Sequence, residues 1–145
     1  MPDFLLKLAE TPQELRAAQR LRYRVFVQEL GGGGPMVDHD AELEQDRFDA
    51  YFDHLILIDK SRDVAPIDSV VGVYRLLGND RAAAAGQFYS EDEYDLGLLH
   101  SSGRRLLELG RSCLAQQYRG GPAMFHLWTG LAEYVSQNQI EILFG

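Results

Sequence analysis

The chain has 145 residues, 46% of them apolar and 25% charged, the make-up of one globular domain with a core of its own. Its net charge of −8 argues against a general nucleic-acid binder, because an acidic surface repels phosphates. No apolar run approaches the about 20 residues of a membrane span. The single Cys113 excludes an intrachain disulfide and a cysteine-cluster metal site. The start, MPDFLLKLAE, shows no basic segment followed by a long apolar one, so the cytoplasm is the expected compartment.

In chain order, Phe4–Ala9 reads as a short first strand. Thr11-Pro12-Gln13-Glu14 is a helix start: Thr11 caps, Pro12 takes the first helical position, and Glu14 closes a capping box. The helix is expected over Pro12–Val27, with Leu15, Ala18, Val25 and Phe26 as its apolar stripe and Arg16, Arg20 and Arg24 on the far side. Arg22 falls inside the apolar stripe. Residues 28–52 carry four glycines, Gly31–Gly34, and seven acidic side chains then fall between Asp38 and Asp53 inclusive, the last just past the stretch. A stretch of that length without apolar periodicity marks a functional loop or disorder.

His54–Asp59 and Asp68–Leu77 read as two strands, Asp80–Gly86 as a surface turn, and Ser90-Glu91-Asp92-Glu93 as a short helical turn. Arg104–Leu114 is a strand with Gly110 inside it, and Tyr118–Pro122 is a tight turn. A helix over Pro122–Gln137 is expected to bury Met124, Leu127, Trp128, Leu131 and Val135, and Ile140–Phe144 is a last strand. The order is β, α, loop, β, β, β, α, β, one α/β (α+β) domain over residues 1–145. The strand–helix–strand unit at the end favours a parallel pair there.

Four places carry chemistry. Arg22, if inside, needs a carboxylate, since an unpaired buried charge costs several kcal/mol; Asp46, Asp49 and Glu108 are the candidates. Glu108 and Arg111 are three apart and face opposite sides of a regular strand; a bulge at Gly110 returns both to one side. Asp46 and Asp49 flank Phe48 and read as a folded element able to attract an ammonium group, while Asp38–Glu44 reads as a solvated charge run. The turn before the last helix, with Gly120 and Gly121, offers backbone N–H groups to a phosphate. The histidines, His39, His54, His100 and His126, have no ligand spacing, so no metal is expected, and Cys113 reads as a buried, inert thiol. Twelve of the fourteen basic residues are arginine, which suits anion recognition and equally a compositional bias.

Leu21–Val27, Asp46-Arg47-Phe48-Asp49, Gly72–Leu76 and Glu108-Leu109-Gly110-Arg111 occur in the order seen in acyl-homoserine lactone synthases, whose fold is GNAT-like. Asp53-His54-Leu55, Glu108–Cys113 and Tyr118-Arg119-Gly120-Gly121 before Leu127-Trp128 resemble the ornithine N-acyltransferases of ornithine-lipid synthesis. The lactone synthases carry a tryptophan after the first helix; glycines stand there in this chain, which favours the second likeness. The resemblance implies a mixed central sheet flanked by helices, continued in such families by further C-terminal strands. It implies transfer of a 3-hydroxyacyl group from the 4'-phosphopantetheine of acyl carrier protein, or from acyl-CoA, to the α-amine of L-ornithine, giving lyso-ornithine lipid. No resident cofactor is implied, and so amphipathic a product suggests transient contact with the inner membrane surface.

The resemblance further implies that Glu108 and Arg111 are catalytic and that Arg22, Phe26, Asp46, Asp49, Arg75 and Phe88 line the substrate site. Arg119, Gly120 and Gly121 take the phosphopantetheine, and Arg104, Arg105 and Arg119 form the expected docking face for an acidic carrier. A lactone synthase-like enzyme and a non-catalytic carrier-binding module are the alternatives.

Overall fold

The Thr11 hydroxyl accepts the N–H of Glu14 at 3.1 Å, and Glu14 reaches back to the N–H of Glu10 at 2.8 Å, one residue earlier than a standard capping box. In the computed structural model, which describes residues 1–145, this cap opens α1 (Pro12–Arg22). The helix does not stop at Val27. It continues as a wider π-helical stretch over Tyr23–Glu29, a rare form that concentrates at functional sites.

Five strands form one sheet in sequence order: β1 (Phe4–Leu8), β2 (Asp53–Asp59), β3 (Val70–Gly78), β4 (Leu106–Leu114) and β5 (Ile142–Phe144). The first four pair antiparallel, and β5 pairs parallel to β4 across the helix α4 (Ala123–Gln137), as the strand–helix–strand pattern requires. The α1 face buries Ala17, Ala18, Leu21 and Val25 on Ile56, Val70, Val73 and Cys113. On the other face α4 seats Ala123 and Leu127 on Leu55, Leu57, Val71, Leu107 and Leu114. A third cluster, Phe48, Phe52, Leu77, Ala82, Phe88 and Leu106, closes the end of the sheet nearest the acidic loop.

Three expectations change. Asp80–Gly86 is not a turn but the helix α2 (Asn79–Ala85), ended by Gly86 at φ +94°, a left-handed position that suits glycine. A short α3 (Gly97–Ser101) follows that periodicity did not announce. Trp128 is 58% exposed rather than buried. The face of α4 that meets the sheet runs through Ala123, Leu127 and Gly130, and Trp128 lies about 100° round the helix from Leu127. Of the two readings for the acidic stretch, the ordered loop is the one present beyond Glu29, with Leu43, Glu44, Phe48, Asp49 and Phe52 buried. No helix is long and apolar enough to cross a membrane.

Gly72 marks a close approach between β3 and α4. A Cβ there would lie 2.9 Å from side-chain carbons of both Leu114 and Leu127 and 3.3 Å from Leu57 Cβ. Gly72→Ala is expected to lower stability by about 1–3 kcal/mol through overpacking. Urea unfolding followed by circular dichroism measures it.

Candidate active site

Arg22 is fully buried, and the partners it needs are present. Its Nε donates to Glu44 Oε1 at 2.7 Å and its Nη1 to Asp49 Oδ1 at 2.7 Å. The same Asp49 oxygen accepts Arg75 Nη1 at 2.8 Å, and that nitrogen also donates to both oxygens of Asp46 at 2.8 Å. Asp49 Oδ2 takes Gln19 Nε2 at 3.0 Å and the N–H of Asp46 at 3.2 Å. At the other end Arg111 Nε lies 3.0 Å from Glu44 Oε2, and its guanidinium sits 4.9 Å over the Phe26 ring. Arg111, Glu44, Arg22, Asp49, Arg75 and Asp46 thus alternate in sign along one continuous line.

Of the expected partners for Arg22, Asp49 is correct, Asp46 serves Arg75, and Glu108 is engaged elsewhere. Glu44, assigned to the solvated run, is instead 6% exposed and central. Its one weak sequence signal is the adjacent Leu43, which is buried beside it. Gln19 was also missed, although it lies one turn before Arg22 on the same face of α1.

The bulge is present, with its strain on a different residue. Arg75 faces Gly110 and Val73 faces Cys113, so β4 uses three steps where β3 uses two. The left-handed residue is Arg111 itself, at φ +50°, not Gly110. Such a conformation costs a non-glycine residue on the order of 1–3 kcal/mol and persists only where its surroundings hold it. Here the Glu44 carboxylate and the Phe26 ring do so.

Glu108 is 2% exposed and anchors a neighbouring turn. Its oxygens accept the N–H of Tyr89 at 2.7 Å, the N–H of Ser90 at 2.9 Å and the Ser90 hydroxyl. These bonds fix the turn that carries Phe88, which is 1% exposed and packs edge-on against Phe144 with ring centroids 5.0 Å apart.

Strand β5 pairs with β4 over Leu106–Glu108, and Gly145 lies against the backbone of Leu109. Beyond it a cleft of about 480 Å³ is lined by Leu109, Gly110, Arg111, Ser112, Leu143 and Phe144. A second cleft of about 340 Å³ runs past Phe26, Ser112, Cys113, Leu114 and Arg119.

At the far end of β4, Gly120 takes φ +77°, and the N–H groups of Gly120, Gly121, Ala123, Met124 and Phe125 have no acceptor within the chain. Arg119 is already engaged: it grips Glu29 with two bonds of 3.0 Å and holds the Leu114 carbonyl at 2.9 Å. Arg104 and Arg105 do not belong to this region. They precede β4, tied to Glu141 and to the Asn138 carbonyl, roughly 25–30 Å of strand away from the turn. A docking face of Arg104, Arg105 and Arg119 is therefore not contiguous.

The cluster balances three guanidiniums against three carboxylates. Burial works against the charge on Arg22, but Asp49 and Glu44 outweigh it and raise the proton affinity. For Asp49, burial pushes the carboxyl up, and the guanidiniums, Arg22 foremost, bring it below the ordinary value. His54 Nε2 donates to the Asp49 carbonyl at 2.9 Å, and burial holds the imidazole below its usual value. Burial pushes the Cys113 thiol up to about 12, which makes it a poor nucleophile. No three His, Cys, Asp or Glu side chains are grouped so as to hold a metal ion.

A family profile for the acetyltransferase (GNAT) domain matches residues 21–129, three quarters of the chain and all of the cluster except Gln19. The chain belongs to the GNAT family. The L-ornithine N(alpha)-acyltransferase of Rhodobacter capsulatus is 58% identical over 99% of this chain and 55% of its own length. That of Brucella abortus is 39% identical over 97% of this chain and 50% of its own. The chain thus spans about half the length of the curated relatives it matches. Among solved structures, FeeM, an N-acyl amino acid synthase from uncultured soil microbes, superposes with TM-score 0.69 at 16% identity, covering 99% of this chain and 70% of that one. The acyl-homoserine lactone synthase LasI gives 0.66 at 20% identity over 99% and 71%. At these identities the likeness is one of fold, and it agrees with the mixed sheet flanked by helices expected for this GNAT domain.

Asp49→Asn leaves Arg22 and Arg75 short of a buried partner and is expected to lower stability by about 3–5 kcal/mol in urea unfolding. The pH dependence has two windows of the same sign, because both groups bind protons less readily when folded. His54 contributes stability above about pH 6.5 that declines as pH falls below it, and Asp49 adds a further loss below about pH 4. His54→Gln keeps an N–H for the Asp49 carbonyl and should flatten the upper window alone, as read from thermal midpoints between pH 7.5 and 5.

Proposed function

We propose that this chain is the acyl-transferring GNAT domain of an L-ornithine Nα-acyltransferase, moving a 3-hydroxyacyl group from acyl carrier protein to ornithine to give lyso-ornithine lipid. The observation that carries the reading is the balanced line of charged groups that ends at Arg111, beside the cleft lined by Leu109, Gly110 and Ser112. The 58% identity with an ornithine acyltransferase supports the acceptor.

In this reading the pantetheine arm lies along Leu109–Leu114 as an added strand, and its phosphate meets the open N–H groups of Gly120, Gly121 and the first turn of α4. Arg119, engaged by Glu29, shapes that turn rather than gripping the phosphate. The acyl chain has the apolar surface beside Phe26, Leu30 and Met124 to follow. The neutral α-amine attacks the thioester carbonyl; the C–N bond forms, the C–S bond breaks, and the thiolate leaves and takes up a proton. Backbone N–H groups of the β4 edge stabilise the oxyanion, a contribution of about 2.7–4 kcal/mol per donor in comparable sites.

Three donors already meet the Glu108 carboxylate, and such a group has about four lone-pair sites. Its fourth site would hold the water that relays the amine proton. Asp46, a quarter exposed, is the cluster's accessible carboxylate and attracts the ornithine ammonium groups. Arg22, Asp49 and Arg75 hold that arrangement from below, and Phe88, fixed through Glu108, closes its side.

The test supplies the protein with 3-hydroxyacyl carrier protein and either ornithine or S-adenosylmethionine, with mass spectrometry of the products. N-acyl-ornithine is the expected product; consumption of S-adenosylmethionine with ornithine untouched would overturn the reading. Glu108→Gln is expected to reduce kcat on the order of 100-fold while the protein remains folded by circular dichroism. Unchanged turnover would remove Glu108 from the mechanism.

A further inference from the structure

A further hollow of about 480 Å³ lies on the α1 side of the sheet, outside the charged line. Arg20, Arg24 and Arg62 line it, together with the buried Leu21, Val25 and Val70. Only two acidic side chains reach it, Glu29 and Asp68, and Glu29 is already gripped by Arg119. Asp68 Oδ1 accepts Arg20 Nη1 at 3.1 Å and Arg24 Nη2 at 3.0 Å, so one carboxylate serves two guanidiniums. Arg62 Nη1 donates to the Asp68 carbonyl at 3.2 Å and pairs with no carboxylate side chain. Three guanidiniums therefore face one available carboxylate, a local positive excess on a chain whose net charge is −8. Arg20 is committed to the chain itself through the carbonyls of Ala41 and Glu42, each at 3.0 Å. The excess is presented by Arg24, 45% exposed, and by the half-buried Arg62.

The place of this hollow gives it meaning. Ala115, Gln116 and Gln117, which follow β4, form one wall, and the Arg62 guanidinium sits 6.0 Å over the Tyr118 ring. Val25 and Glu29 line both this hollow and the cleft that runs past Phe26 and Leu114. Gly120 comes three residues after Gln117, no more than about 10 Å of chain. A donor whose arm lies on β4 with its phosphate at Gly120 and Gly121 brings the protein that bears the phosphate to this end of the strand. Arg104 and Arg105 stand at the opposite end; Arg24 and Arg62 stand at this one.

We propose that the Arg24 and Arg62 rim of this hollow is the docking surface for an acidic carrier protein, whose carboxylates pair with the two guanidiniums while its phosphate-bearing residue faces the glycine turn. The proposal deepens the reading above and rests on its placement of the arm. Charges farther off than about 8 Å are largely screened at physiological salt, so the partner meets the local excess and not the overall −8. A charged rim around an apolar centre is the usual anatomy of a protein–protein contact, and the exposed Gln28 and Gln116 add amide donors and acceptors to that rim. Complementary rim charges act chiefly on encounter and on the choice of partner.

Calorimetric titration of the protein with holo-acyl carrier protein at low and high salt tests this. Binding is expected, weaker at high salt, and Arg24→Gln/Arg62→Gln should weaken it about tenfold. Glutamine avoids setting a new carboxylate against Asp68, which keeps Arg20, so circular dichroism should show the fold unchanged. Arg16→Gln/Arg104→Gln, with the same change in net charge, should bind the carrier as the wild type does. Turnover with 3-hydroxyacyl-pantetheine, a donor without carrier or phosphate, should be alike in the wild type and Arg24→Gln/Arg62→Gln. If the first variant loses carrier binding while no N-acyl-ornithine forms with any donor, the ornithine reading fails and the surface stands. No carrier binding by the wild type, wild-type affinity in Arg24→Gln/Arg62→Gln, or equal weakening in the control variant overturns the surface. So does a loss of binding to coenzyme A or to vesicles of anionic phospholipid in the first variant with carrier affinity intact.

Discussion

One oxygen atom organises this domain. Asp49 Oδ1 accepts from Arg22 on the first helix and from Arg75 on a central strand, both in a place almost closed to water. Neither guanidinium could be buried alone, since the desolvation of an uncompensated charge is of the same order as the whole stability of a small domain. The carboxylate therefore makes the helix–sheet contact conditional on the acidic loop arriving with its aspartates in register. The loop is part of the core because the arginines are.

Local chemistry was legible wherever a residue type has one dominant use. Thr11-Pro12 announced a helix start, Arg22 announced a buried charge in an apolar stripe, and Glu108-x-Gly110-Arg111 announced an irregular strand; all three are present. Partner choice was less legible. Four acidic side chains, Glu42, Glu44, Asp46 and Asp49, lie within eight positions, and composition alone cannot say which of them turns inward. Glu44 does so because the chain pairs its N–H with the Gln19 carbonyl, a long-range bond that no spacing rule encodes.

The misplacement of Trp128 has a related cause. Helical periodicity finds an apolar face, but the sheet decided where that face is centred, and Gly130 lets the helix settle on Leu6 and Leu55. The bulge shows the reverse situation. The glycine pointed to the right strand position, yet the strained residue is its neighbour, because the carboxylate and the aromatic ring that hold the strain belong to Arg111's surroundings and not to Gly110's. Sequence marks where a backbone can deviate; tertiary partners select the residue that does.

The two-pronged grip of Arg119 on Glu29 joins the last turn of the first helix to the loop that follows β4, and the same guanidinium clasps the Leu114 carbonyl. Glu29 lies two helical turns beyond Arg22 on one continuous rod. The glycine turn is therefore tied, through one guanidinium, to the helix bearing the buried arginine. Helix and turn thus meet as neighbouring walls of the cleft that runs past Phe26 and Leu114.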